Sequence, residues 1–134
     1  MAPLTVLAAR KRTSTGRLAK NSKLFKSIIK AISEKKGESI VSLDLRKIPE
    51  AVADFFVICQ ATSHTQIRAI SNFVEETVKE ECGELPYKHD SYQAQQQWII
   101  IDYINIVVHV LLPDARKFYR LEEMWSDAVF AEHN

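Results

Sequence analysis

Apolar residues recur along this chain in blocks whose spacing switches between helical and extended periods, and the switches outline one domain. Leu24, Phe25, Ile28, Ile29 and Ile32 fall on one helical stripe with lysines opposite. That spacing predicts a helix running from an N-cap at Ser22 to a stop at Gly37. Val41, Leu43 and Leu45 then alternate with Ser42 and Asp44, the period of a half-buried strand. Arg46 to Glu50 is a connector stiffened by Pro49. Residues 54–61, DFFVICQA, form a short and nearly continuous apolar run, which predicts an interior strand. Ser63-His64-Thr65-Gln66 has the reciprocal capping pattern of a helix start. The helix it opens has Ile67, Ile70, Phe73, Val74 and Val78 on its inner face and ends near Gly83.

In the second half, Leu85-Pro86-Tyr87 predicts a weak third strand, and residues 88–96 a polar loop. Trp98–Asp102 and Ile106–Leu111 predict a hairpin turning at Tyr103–Asn105. Pro113 stops its second strand, and Asp114 is placed to cap a helical turn. Leu121–Ala128 predicts a final helix with Met124 and Trp125 turned inward or into an interface. The order is helix, strand, strand, helix, three strands, helix. The expected fold class is α/β, a single domain with a mixed five-stranded sheet and helices packed on it.

Charge divides the chain. Residues 1–30 carry eight Lys or Arg and no acid, whereas residues 31–134 carry ten bases against seventeen acids, a balance of about −7. The expected organisation is a basic flexible extension over residues 1–21 and a folded domain over residues 22–134. An acidic body is poorly suited to extensive phosphate binding and well suited to a basic protein partner. The arm has two readings, a mitochondrial presequence or the extension of a bacterial protein, and in either case it is free to touch RNA. No apolar run approaches the roughly 20 residues that span a bilayer, so no membrane partner is expected. Cys59 and Cys82 lack metal spacing and a CxxC pattern, as buried thiols in a reducing compartment do.

Catalytic chemistry finds little to stand on. Gly16, Gly37 and Gly83 are the only glycines and none forms a phosphate-cradling loop. Asp102 has no second acid two residues on, because Ile104 stands there. The histidines His64, His89, His109 and His133 show no mutual ligand spacing. We therefore expect no catalytic residue, no metal and no cofactor. The aromatic residues Trp98, Tyr103, Phe118, Tyr119 and Trp125 cluster in sequence. Phe118 is expected in the core. Trp98 and Tyr119 fit core or interface equally, with Arg116 and Arg120 beside them. His109 shares a strand face with Val107 and Leu111 and fits a structural or a surface role.

Taken in order, Trp98, Asp102-Tyr103, Val107-Val108-His109-Val110, Arg116, Tyr119, Leu121-Glu122, Trp125 and Asp127-Ala128 form a pattern. Asp54-Phe55-Phe56-Val57-Ile58, Thr62-Ser63, Gln66 and Ala69-Ile70 precede it. Together, from about Leu24 to Ala128, they resemble the ribosomal silencing factor family (RsfS, also called Iojap). Two departures stand out. The family usually has Gly-Asp where this chain has Ile104-Asn105, and an acidic-Gly pair in the loop where residues 88–97 hold no glycine. The resemblance implies a nucleotidyltransferase-like architecture without the catalytic motifs, and a non-enzymatic activity. It implies binding to the large ribosomal subunit through ribosomal protein fourteen (the universal L-fourteen protein). That binding would block joining of the small subunit and repress translation when nutrients are short. A homodimer in the free state and a bacterial cytoplasmic location follow from the same likeness. The alternative is large-subunit assembly in an organelle such as the mitochondrion.

On this reading Trp98, Asp102, Tyr103, His109, Arg116, Tyr119 and Glu122 build the docking surface. Trp98 and Tyr119 would be anchors, Asp102 and Glu122 would face cations, and Arg116 would set orientation. Leu121 and Trp125 would hold the final helix on the sheet, and Ser63 and Gln66 would serve as caps. The competing expectations are a nucleotidyltransferase-like enzyme and an RNA-binding module led by the basic arm.

Overall fold

Two long helices, α1 (Leu18–Glu34) and α2 (His64–Cys82), pack side by side on one face of a five-stranded sheet in the computed structural model, which describes residues 18–87 and 96–133. The strands are β1 (Glu38–Asp44), β2 (Phe55–Gln60), β3 (Trp98–Asp102), β4 (Ile106–Leu111) and β5 (Val129–Glu132). They lie in the order β3-β4-β2-β1-β5. β2 and β4 run parallel, and the other neighbouring pairs are antiparallel. The mixed five-stranded sheet with helices on it is therefore the fold.

Each element follows from its stripe. Leu24, Ile28, Ala31 and Ile32 of α1 and Ile67, Ile70, Val74 and Val78 of α2 are buried against Val57, Cys59, Ile99, Ile101, Val108 and Val110. Each of the leucine, isoleucine and valine side chains contributes about 1.5–3 kcal/mol of burial. Ser63 caps α2 by accepting the Gln66 amide N–H at 3.1 Å, and Gly83 closes it in the left-handed region at φ 66°. Glu81 ties the helix pair together by accepting from Ser27 Oγ at 2.7 Å and Lys30 Nζ at 3.0 Å. The opposite sheet face is covered by the 45–54 connector and by two short helices, α3 (Pro113–Tyr119) and α4 (Leu121–Met124). Both sheet faces are thus buried, which is why β2 and β4 read as continuous apolar runs.

Several expectations are corrected. Helix α1 starts at Leu18, so Ser22 falls in its second turn. Lys36, at φ 66°, holds the left-handed position after α1, while Gly37 is needed for close approach: a Cβ there would lie 2.3 Å from Ile32 Cγ2. The reciprocal half of the α2 capping box is replaced by a 3.5 Å contact from Thr62 Oγ1 to Gln66 Oε1. Leu85-Pro86-Tyr87 is not a strand; Tyr87 gives its N–H to the Asp102 carbonyl at 2.6 Å. The fifth strand is instead β5, an exposed edge beside β1. The final helix stops at Met124, because the chain must turn at Trp125–Ala128 to bring β5 onto the sheet. Leu112, not Asp114, is the cap residue of α3, with Pro113 in its first turn. Residues 88–95, which hold most of the expected loop and His89, lie outside the described residues, as do residues 1–17 of the arm.

The hairpin turn accounts for the Ile104-Asn105 departure. Ile104 sits at φ 70°, a region that a β-branched residue enters at a cost of about 1–3 kcal/mol. Asp102 Oδ1 holds it there by accepting the Ile104 N–H at 2.8 Å. With isoleucine where the resemblance leads one to expect glycine, this chain keeps the turn and bears the strain. Ile104→Gly is expected to raise the unfolding free energy by about 0.5–1 kcal/mol, the strain relief exceeding the added chain entropy. Urea unfolding checks this, and a destabilised variant would refute it.

Candidate functional site

Five aromatic rings run from the core to the surface on the sheet face that α3 and α4 cover. Phe56 of β2 meets His109 of β4 edge-on at 4.5 Å between centroids, and His109 meets Trp98 of β3 at 5.7 Å. Trp98 meets Tyr119 at 4.5 Å, and Tyr119 meets Phe118 edge-on at 5.1 Å. Exposure rises along this ladder from 0% at Phe56 and His109, through 8% at Trp98 and 37% at Tyr119, to 78% at Phe118. Hairpin register explains the inner contact. Trp98 pairs with Leu111 and Ile100 with His109, so Trp98 and His109 are diagonal neighbours on one face. The Trp98 indole N–H donates to His109 Nδ1 at 3.1 Å. Nδ1 is then an acceptor, so the neutral ring carries its proton on Nε2. Burial pushes the His109 ring down to about 3 from 6.5, which keeps it neutral.

Arg116 forms a second construction at the same end of the molecule. Its Nη2 and Nε donate to Glu122 Oε2 at 2.8 and 3.3 Å. Its Nη1 donates to the Ser39 carbonyl at 2.7 Å and to Gln60 Oε1 at 3.3 Å. One guanidinium therefore ties α3 to α4, to the bulged start of β1 and to the end of β2. Arg120, at φ 50°, makes the sharp step between the two helices that lets Glu122 fold back onto Arg116.

The seven residues expected to dock do not share one surface. Asp102 is buried and holds the Ile104 turn. Tyr103 is buried in the helix-side core, on the opposite sheet face from Trp98. Trp98 and His109 are buried beneath Tyr119. Arg116 and Glu122 satisfy each other. Of the seven, Tyr119 alone presents a substantially exposed ring. Phe118, expected in the core, is the most exposed aromatic side chain among the described residues. Ala115 is the buried residue of two-turn α3, so no core-facing stripe claims Phe118, and that shortness was its sequence signal. Met124 is also exposed, while Trp125 lies edge-on to Phe56 at 6.1 Å and helps hold the segment down.

A mixed sheet covered on both faces, presenting exposed rings propped from the core, is the build of an interaction domain. Among the described residues no group of three or more His, Cys, Asp or Glu is placed to hold a metal, and no helix is long and apolar enough to cross a membrane. The family profile described as "Ribosomal silencing factor during starvation" matches residues 19–134. The ribosomal silencing factor RsfS of Halalkalibacterium halodurans is 35% identical over 112 residues, spanning 84% of this chain and 93% of that protein. The Bacillus subtilis protein of the same name is 35% identical over 111 residues, spanning 80% and 92%. A crystal structure of a Chromobacterium violaceum protein matches with a TM-score of 0.72 at 28% identity, covering 78% of this chain and 85% of that one. The chain belongs to the ribosomal silencing factor (RsfS/Iojap) family, which is non-catalytic. Organellar relatives also match over part of their length. Chloroplastic Iojap of Zea mays is 32% identical with 43% of it covered, and the mouse protein of mitochondrial large-subunit assembly is 30% identical with 32% covered.

Proposed function

We propose that this protein silences ribosomes by docking on the large subunit through ribosomal protein fourteen, so that the small subunit cannot join and translation falls under nutrient limitation. The observation that carries the reading is the exposed Phe118–Tyr119 pair, propped on buried Trp98. Exposed rings held rigid by a buried layer are what interface anchors require. The body charge of about −7 over residues 31–134 complements a basic ribosomal protein. The docking surface is accordingly Tyr119 with Phe118 and Met124. Trp98 and His109 support it from below, and Arg116 with Glu122 fixes the segment that carries it. We read the scaffold as nucleotidyltransferase-like in outline, with Asp102 serving the hairpin turn. The free protein is a homodimer on this reading, and its place is the bacterial cytoplasm. The acid-free basic arm and the organellar relatives favour a second reading, large-subunit assembly in an organelle.

Co-sedimentation of the full chain with separated ribosomal subunits tests the proposal. Binding to the large subunit alone is expected, and Tyr119→Ala is expected to weaken it about 30-fold, the scale of an anchor worth about 2 kcal/mol. Removing residues 1–17, which leaves α1 whole, is expected to preserve binding. Binding that needs only the arm, with steep salt dependence, would transfer the function to RNA contact.

A further inference from the structure

His109 is an expensive residue for its position. It is fully buried among Phe56, Trp98 and aliphatic neighbours, where a leucine or phenylalanine would pack without a polar atom to satisfy. Its Nε2 has no hydrogen-bond partner among the described residues. Among the described residues, the one hydrogen bond its ring makes is to accept the Trp98 indole N–H. An indole packed by its faces alone can settle in more than one orientation, whereas a fixed acceptor selects one. The selected orientation is the one on which Tyr119 rests, and Phe118 stands edge-on to Tyr119.

We infer that His109 is a positioning residue for docking: through the Trp98 indole it sets the angle at which Tyr119 and Phe118 meet the ribosomal partner. The inference rests on the docking role proposed above. It makes binding depend on an acceptor that lies under the surface and touches no partner. It also accounts for a buried imidazole at a position where its one described hydrogen bond is to the Trp98 indole N–H.

The test compares stability, the Trp98 indole resonance and large-subunit binding in four variants of the full chain. His109→Leu removes one unpartnered ring N–H but orphans the Trp98 indole N–H, so it is expected to melt within a few degrees of the parent protein. It should shift the Trp98 indole N–H resonance upfield and weaken large-subunit binding at least fivefold. His109→Asn puts an amide oxygen where Nδ1 stood. It is expected to melt lower, because it is smaller, and yet bind within twofold of the parent. Stability and binding would then rank the two variants in opposite orders. Trp98→Phe keeps a ring under Tyr119 and removes the donor, and is expected to weaken binding as His109→Leu does. It decides the matter if His109→Leu does not fold. Parent-like binding by the folded His109→Leu protein or by Trp98→Phe, alongside weakened Tyr119→Ala, would overturn the positioning role and leave the docking surface standing. Undiminished binding by Tyr119→Ala would overturn the docking surface and this inference with it.

Discussion

Replacing Arg116 by alanine is expected to lower the unfolding free energy by about 2 kcal/mol, a loss beyond that of an ordinary surface ion pair. The reason is where the guanidinium sits. Its side chain is 11% exposed, against 29% for its partner Glu122, so the pair is half-desolvated and screened less than a surface bridge. The pair alone justifies about 1 kcal/mol after allowing for the water that still reaches Glu122. The rest comes from half-buried Gln60 and from the Ser39 carbonyl, which lose a charged donor at 3.3 and 2.7 Å, although Ser39 is exposed and water recovers part of its loss. Ser39 and Arg120, at φ 49° and 50°, are held in the left-handed region on either side of this clamp, and neither is a glycine. Without Arg116 that strain has less to hold it. Arg116→Lys should recover only about 1 kcal/mol, since an ammonium cannot reach three acceptors with one rigid fork. Urea denaturation of the two variants measures the difference. A loss below about 1 kcal/mol for the alanine variant would mean that water replaces the clamp at little cost.

The same clamp shows what could and could not be read along the chain. Elements with a buried stripe were legible. α1, β1, β2, α2 and the β3–β4 hairpin all announce themselves through period, caps or turn residues, because each buries a regular face. β5 has no such face: its four residues are all exposed, and it exists because β1 offers an unpaired edge. A local pattern cannot report a partner from another part of the chain. Leu85-Pro86-Tyr87 failed in the opposite sense: it lies beside the open edge of β3, but Pro86 has no N–H to give to a ladder, and Tyr87 gives its N–H to Asp102. Arg116 and Glu122 are six residues apart, a spacing at which a continuous helix would not join them, and the left-handed step at Arg120 brings them together.

The aromatic ladder was half legible. With the turn placed at Tyr103–Asn105, the register of the hairpin already makes Trp98 and His109 diagonal neighbours. Depth was not legible. Whether that face met water or the α3–α4 segment depended on a chain reversal set by backbone strain, and the reversal buried Trp98 and His109 while leaving Phe118 outside. Trp98 and His109 therefore lie beneath Tyr119 and not beside it at the surface.

Acid should expose the energetic cost of that burial. His109 titrates at about 3 in the folded protein against 6.5 when free, because burial penalises the charged ring. Above pH 6.5 both states hold a neutral ring and the histidine adds no pH dependence. As pH falls below 6.5 the unfolded chain binds a proton that the folded chain refuses. Stability is then lost at about 1.4 kcal/mol per pH unit until the folded ring titrates, about 5 kcal/mol in all. That is comparable with the whole net stability of many domains. Carboxylates enter later. The Arg46 hydrogen bond holds Asp44 below the usual carboxylate range, and hydrogen bonds from Ser27 and then Lys30 do the same for Glu81. Their contributions are present at neutral pH and are lost as pH falls through the carboxylate range, below the window in which His109 acts first. Between pH 6.5 and 5 the parent protein should therefore lose about 2 kcal/mol that His109→Leu retains. Urea midpoints taken across that window for both proteins give the result directly. Parallel lines would show that the ring takes a proton in the folded state without penalty, which a sealed site under Trp98 does not permit. A widening gap would show that one buried ring makes the fold acid-sensitive.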